Sequence, residues 1–217
     1  MNNGSSVLQP EPPVKDGKKP MKLLLISDEE VPALWDYCTP DRLRDYDLIL
    51  SAGDLKSQYL SFLVTMARCP LLYVHGNHDG AYDKFPPEGC ECIDDSVVEI
   101  NGLRIAGLGG CRRYNDGPYQ YTDSEMRRRI FRLGYKIRRV GGVDIILTHA
   151  PVSGCGDMPN LTHRGFDSFI PMIEKYKPRY LVHGHVHMRY QGAAGERIHT
   201  LGSTTIINCS GRYTIEI

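Results

Sequence analysis

Leu71-Leu72-Tyr73-Val74-His75-Gly76-Asn77-His78-Asp79 joins an apolar run of strand length to amide, imidazole and carboxylate groups. Four other stretches repeat this arrangement. Leu23-Leu24-Leu25-Ile26 precedes Asp28 and Glu30, and Leu48-Ile49-Leu50 precedes Gly53-Asp54. Ile145-Ile146-Leu147 precedes His149, and Tyr180-Leu181-Val182 precedes Gly184-His185-Val186-His187. A lone Asp or Gly after a strand is an ordinary turn residue or helix cap. Five such endings in register need another reason. Open α/β sheets place their sites outside the carboxyl ends of the strands, so these donors are expected to meet in one crevice. Mixed carboxylate, amide and imidazole donors suit a pair of transition-metal ions.

Outward from these runs the chain alternates strand and helix patterns, which reads as α/β. A helix is expected over about 56–67, with Leu60, Leu63, Val64 and Ala67 on one face. Short strands are expected at Glu91–Ile93, Val97–Ile100 and Arg104–Leu108, with Asn101-Gly102 as a hairpin turn. The clearest helix lies at about 123–138: Thr122 and Glu125 form a capping box, and Met126, Ile130, Leu133 and Ile137 share a face. Its other face is expected to carry Arg127, Arg128, Arg129 and Arg132, either solvated or as an anion-attracting rim. A loop from Pro151 to Asn160 leads to a helix at about 166–176, then strands follow at 188–193, 197–201, 204–208 and 212–217. Parallel strands early and antiparallel strands late suggest two sheets packed face to face with helices outside. Residues 1–20 are polar and rich in Pro and Gly, which reads as a disordered leader before one domain at 21–217.

The bulk composition narrows the function classes. Lys plus Arg and Asp plus Glu each total 26, so no global field favours nucleic acid or an anionic membrane. No apolar run approaches the roughly 20 residues of a spanning helix, and no N-terminal apolar targeting segment is seen. The seven cysteines are scattered without C-x-x-C spacing, which points to reduced thiols and a cytoplasmic location.

Together, Asp28, Gly53-Asp54, Gly76-Asn77-His78-Asp79, Thr148-His149 and Gly184-His185-Val186-His187 resemble the five ordered motifs of the calcineurin-like metallophosphoesterases. The resemblance runs from about residue 22 to residue 187. It implies an α/β/β/α four-layer sandwich with two mixed sheets, in agreement with the strand pattern. It also implies a dinuclear site. Asp28 and His187 would hold the first ion, Asn77, His149 and His185 the second, and Asp54 would bridge them. His78 would be a catalytic acid or charge stabiliser, and Asp79 would accept a hydrogen bond from its ring and fix its tautomer. The cofactors expected are two divalent ions, manganese first, with iron, zinc, nickel or cobalt as alternatives.

One position departs from the family pattern. Its first motif is Asp-x-His, whereas this chain reads Asp28-Glu29-Glu30. Glu30 is an oxygen donor, so the expectation is a first ion harder than zinc, held in part by Glu30. A first ion bound only with substrate, or lost, are the other two outcomes.

Residues outside the motifs carry weaker signals. His75 and His183 precede motif glycines and read as structural or supporting, and His199 reads as structural. His163 or Arg164 could border the site or serve only the loop. Within 110–121, Arg112 or Arg113 could bind phosphate and Tyr114, Tyr119 and Tyr121 could stack on a ring, or the stretch could be a surface loop anchored by tyrosines.

The function expected is hydrolysis of a phosphate mono- or diester of a small-molecule or nucleotide substrate. The alternative is a catalytically weak or inactive protein-binding scaffold of the same fold. A nuclease is disfavoured by the zero net charge.

Overall fold

A computed structural model describes residues 20–188 and 196–217. The expected leader, apart from Pro20, and the expected strand at 188–193, apart from Met188, lie outside the described residues.

Five strands form the first sheet: β1 (Lys22–Ser27), β2 (Leu48–Ser51), β3 (Leu71–Tyr73), β4 (Glu91–Cys92) and β13 (Gly211–Glu216), in the order β13-β1-β2-β3-β4. The pairs β1–β2, β2–β3 and β3–β4 are parallel, and β13 joins β1 antiparallel. Six strands form the second: β5 (Val97–Ile100), β6 (Leu103–Leu108), β9 (Ile145–Thr148), β10 (Tyr180–His183), β11 (Ile198–Leu201) and β12 (Thr204–Asn208). Their order is β11-β12-β10-β9-β6-β5, parallel in the middle and antiparallel at both edges. Both sheets are therefore mixed. A small pair, β7 (Cys111–Arg112) and β8 (Gln120–Tyr121), stands apart.

The motif strands read as continuous apolar runs because both of their faces are buried. Leu23 and Leu25 of β1, with Leu48 and Leu50 of β2, pack toward Ile145, Leu147, Val182 and Ile207 of the second sheet. The alternate residues Leu24, Ile26 and Ile49 pack against Tyr59, Leu60 and Leu63 of helix α1 (Ser57–Ala67). On the far side of the second sheet, Ala106, Ile146, Leu181 and Ile206 meet two further helices, α2 (Asp123–Arg139) and α3 (Phe169–Tyr176). Helix, sheet, sheet and helices make four layers. Among the described residues, no helix is long and apolar enough to cross a membrane.

The expected capping box starts α2: the Glu125 backbone N donates to Thr122 Oγ1 (3.3 Å), and the Thr122 backbone N donates to Glu125 Oε2 (2.7 Å). Arg129, expected on the outer face, instead points inward. It lies three residues after Met126 and four before Leu133, and so shares their side of the helix. Its guanidinium is buried against Asp95 (2.9 Å) and the Gly109 carbonyl (2.6 Å), over the Tyr121 ring. Helix α3 begins at Phe169, three residues later than expected. Phe166 forms a bridge to Val152 and donates its backbone N to the Pro151 carbonyl, which keeps that stretch extended.

Candidate metal centre

The carboxyl ends of β1, β2, β3, β9 and β10 carry the sequence-predicted donors. The chain turns sharply there. Asp28 (φ 63°), Asp54 (φ 59°) and His185 (φ 67°) adopt left-handed backbone conformations, sparsely populated by non-glycine residues and concentrated at functional sites. The motif glycines permit close approach. A Cβ on Gly76 would overlap the Asp54 carboxylate, and one on Gly184 would lie 2.7 Å from Asp28 Oδ2.

Donor atoms of Asp54, His149 and His185 all lie within 4.8 Å of one another. His149 Nε2 stands 3.4 Å from Asp54 Oδ2, 3.1 Å from Asn77 Oδ1 and 3.1 Å from His185 Nδ1. The hydrogen bonds behind these atoms fix what they present. His149 Nδ1 donates to the Ala52 carbonyl (2.7 Å), so a neutral ring leaves Nε2 as a lone pair. His185 Nε2 donates to the Thr162 carbonyl (2.6 Å), which leaves Nδ1 bare. Asn77 Nδ2 donates to the Tyr114 hydroxyl (3.1 Å), so its oxygen is the end turned to the histidines. Two ring nitrogens, an amide oxygen and a carboxylate thus converge as acceptors. Such a cluster needs a cation or a proton at its centre, and the donor set fits a divalent transition metal.

The electrostatics carry the same imprint. Burial favours the neutral His149 ring, but the adjacent Asp54 carboxylate more than reverses this and raises its pKa to about 9. Asp54 responds in kind: burial works against its charge, yet His149 and the His78 backbone N hold its pKa down to about 2. His185 is pushed down to about 3, by burial first and by His149 second. Of the two imidazoles, His149 takes the proton that a metal ion would displace.

Asp28 lies beside this cluster. Its carboxylate accepts from the His185 backbone N (2.9 Å) and from Ser27 Oγ (2.6 Å). Burial raises its pKa, with His149 and His187 acting against the rise. His187 Nδ1 meets Glu29 Oε1 at 2.7 Å, a contact that no sequence motif marked. Glu30 borders the crevice beside Asp54 and His78, and its Oε1 accepts from the Lys56 backbone N (3.3 Å) and pairs with Lys56 Nζ (3.5 Å).

The His78 ring is 76% exposed, with Nε2 3.9 Å from Asp54 Oδ2. Among the described residues no hydrogen bond joins it to Asp79. Asp79 Oδ2 instead accepts from the backbone N of Gly76 (2.7 Å) and of Asp54 (2.9 Å), which ties the two motif loops together. Burial, and then Asp54, raise the Asp79 pKa to about 6.

The polar stretch 110–121 reaches the centre through one residue, Tyr114. Its arginines are already engaged, Arg112 with Asp167 (3.2 Å) and Arg113 with Glu125 (3.2 Å). Tyr119 stacks on His75 with ring centroids 4.3 Å apart, and His75 pairs with Asp94 at 2.7 Å. The loop after β9 supplies the Thr162 carbonyl and sets His163 against the His185 ring, centroids 5.4 Å apart. His183 is wholly buried, which pushes its pKa down to about 4, and its Nδ1 donates to the Gly184 carbonyl. Sequence reasoning did not assign Tyr114, Thr162 and Glu29 as partners of the metal-type donors. Only Tyr114 gave a signal, as an aromatic in a stretch too polar for core.

Comparison with known proteins agrees with this geometry. In fold, the chain is similar to TT1561 of Thermus thermophilus, with a TM-score of 0.60 at 16% identity over 89% of this chain and 90% of that one. In sequence, it is 26% identical over 194 residues to an uncharacterized protein of Haemophilus influenzae, covering 77% of this chain and 85% of the relative. It is also 29% identical over 119 residues to UPF0046 protein T07D4.2 of Caenorhabditis elegans, covering 54% of this chain but 27% of that protein. The family model for calcineurin-like phosphoesterases matches residues 26–189, a span that begins within β1 and takes in every donor of the crevice. By that match, carried on strands that deliver the donors to one place, the chain belongs to the calcineurin-like phosphoesterase family.

Proposed function

We propose that this protein is a metal-dependent hydrolase of phosphate mono- or diesters, working through two divalent ions. The observation that carries the reading is the convergence of bare acceptors from Asp54, Asn77, His149 and His185. Asn77, His149 and His185 would hold one ion, Asp28 and His187 the other, and Asp54 would lie between them. Glu30 is the candidate extra oxygen donor for the first ion, once its carboxylate leaves Lys56. Manganese suits this oxygen-rich set, with iron, zinc, nickel or cobalt as alternatives. Bound there, such a pair would polarise the phosphoryl oxygens and make water nucleophilic near neutral pH.

The protein's own groups do the rest. His78, exposed at the mouth, is placed to donate a proton to the departing oxygen. Asp79 holds the Asp54 and Gly76 loops at a fixed separation through its two backbone bonds, so its role is positioning. Burial of His149 and His185 removes water from one side of the centre, which strengthens charge interactions there. The substrate would be a phosphorylated small molecule or nucleotide, met in the cytoplasm.

One observation favours the scaffold alternative: Glu30 stands in the family's histidine position and is engaged by Lys56. Metal analysis of purified protein, followed by hydrolysis of p-nitrophenyl phosphate and bis(p-nitrophenyl) phosphate with added manganese, iron, zinc, nickel or cobalt, tests both readings. Two ions per chain and turnover are expected. Glu30→Ala should then lower metal content and rate together. No turnover with any of the five metals would leave the scaffold reading in place.

A further inference from the structure

A cavity of about 290 Å³ opens directly beside the metal centre. Asp54, Lys56 and Gln58 line it from one segment, and His78, Asp79 and Phe85 line it from another. Phe85 is 68% exposed although it lines this cavity. Its backbone is held in place. A short 3-10 turn at Asp79–Asp83 follows His78, and the Phe85 backbone N donates to the Ala81 carbonyl (2.9 Å). The buried Tyr82 hydroxyl donates to the Leu55 carbonyl, which ties the segment carrying His78 and Phe85 to the one carrying Lys56 and Gln58. The two segments therefore keep their separation.

We infer that this cavity receives the leaving alcohol of the substrate and selects a compact planar ring, stacked on Phe85 with polar substituents toward Lys56 and Gln58. The inference rests on the phosphoesterase reading above and adds the substrate class to it. A proton donor must lie within hydrogen-bond reach of the oxygen that departs. With His78 as donor, the departing oxygen lies beside His78, and the group attached to it occupies the space that His78 borders. At about 290 Å³ that space is at the small end for ligand pockets, which suits a single ring system over a long chain or a macromolecule. An exposed aromatic face across from an ammonium and an amide offers a ring both stacking and edge hydrogen bonds.

The test compares phenyl phosphate with ethyl phosphate on the manganese-loaded protein, as a ratio of kcat/KM. In Phe85→Ala that ratio should fall about three- to tenfold, the range for loss of one aromatic contact, and mainly through KM. Phe85→Trp should restore it. An unchanged ratio, or an equal fall for both esters, overturns the inference while leaving the phosphoesterase reading intact. If neither monoester is hydrolysed, binding of phenylphosphonate against methylphosphonate by NMR titration decides the cavity separately from the phosphoesterase reading. Tighter phenylphosphonate binding that Phe85→Ala removes supports it. Equal binding of the two probes, or no saturable binding of phenylphosphonate, overturns it.

Discussion

Asp54, His149 and His185 form one cluster of metal-binding residue types, and His75, Cys92 and Asp94 form another, each with donor atoms within 4.8 Å of one another. Distance alone does not separate them. In the first, the protons on the nitrogens are spent on the Ala52 and Thr162 carbonyls, so lone pairs face inward. In the second, His75 Nδ1 points its proton at Asp94 Oδ2 (2.7 Å), and Asp94 Oδ1 accepts from the Gly109 backbone N (2.6 Å). Burial would strip the proton from His75, but Asp94 more than offsets that and raises its pKa to about 10. The proton on His75 thus has Asp94 as its own acceptor, whereas the proton that His149 takes sits among the inward-facing atoms of Asp54, Asn77 and His185, where a metal ion would replace it.

Four experiments can break or sharpen this contrast. Replacing His149 with Ala removes a central donor from the acceptor cluster. Activity should drop to background and one ion should be lost, a larger effect than the roughly 10–100-fold cost of losing a supporting residue. Retention of both ions by that variant, measured by elemental analysis, would erase the distinction between the clusters.

His78→Ala touches the mouth of the centre without removing a converging lone pair. Bound metal should stay, while turnover falls about 10²–10⁴-fold, the usual contribution of a positioned acid. Parallel loss of metal would move His78 into the ligand set.

Tyr114→Phe tests whether the hydrogen bonds behind the donors matter. Without the hydroxyl, Asn77 is free to turn its amino group toward His149, so metal affinity should weaken about 10–100-fold by calorimetric titration. An unchanged affinity would mean that the amide orientation is set elsewhere.

The smallest effects belong to the second cluster. Cys92→Ser and Asp94→Ala should leave metal stoichiometry untouched. Asp94→Ala should cost about 1–3 kcal/mol of stability in urea unfolding, because the Gly109 N–H and the His75 ring lose their acceptor. A drop in bound metal with either variant would make this cluster a site as well.

Much of the molecule was legible from residue order. The strands β1, β2, β3, β9 and β10, the capping box at Thr122 and the turn at Asn101-Gly102 depend on local patterning, and patterning is visible in one dimension. The donors at the strand ends were equally plain, because parallel strands point their carboxyl ends the same way in each sheet. Arg129 was misplaced because a run of like charges reads as one solvated face. Helical geometry turns every third or fourth residue inward, and there Asp95 and the Gly109 carbonyl satisfy the guanidinium.

The sequence by itself determined which residues carry metal-type donors and that these follow the carboxyl ends of strands. Only the tertiary structure decided how each of those atoms is protonated and turned. The Ala52 carbonyl lies 97 residues from His149 and the Tyr114 hydroxyl 37 from Asn77, and no local pattern couples such pairs. The same holds for Glu29 meeting His187 while Glu30 meets Lys56, since which of two adjacent carboxylates pairs with His187 depends on a contact 158 residues away. Hydrogen-bond direction is a property of pairs, and these pairs exist only after the sheets have packed.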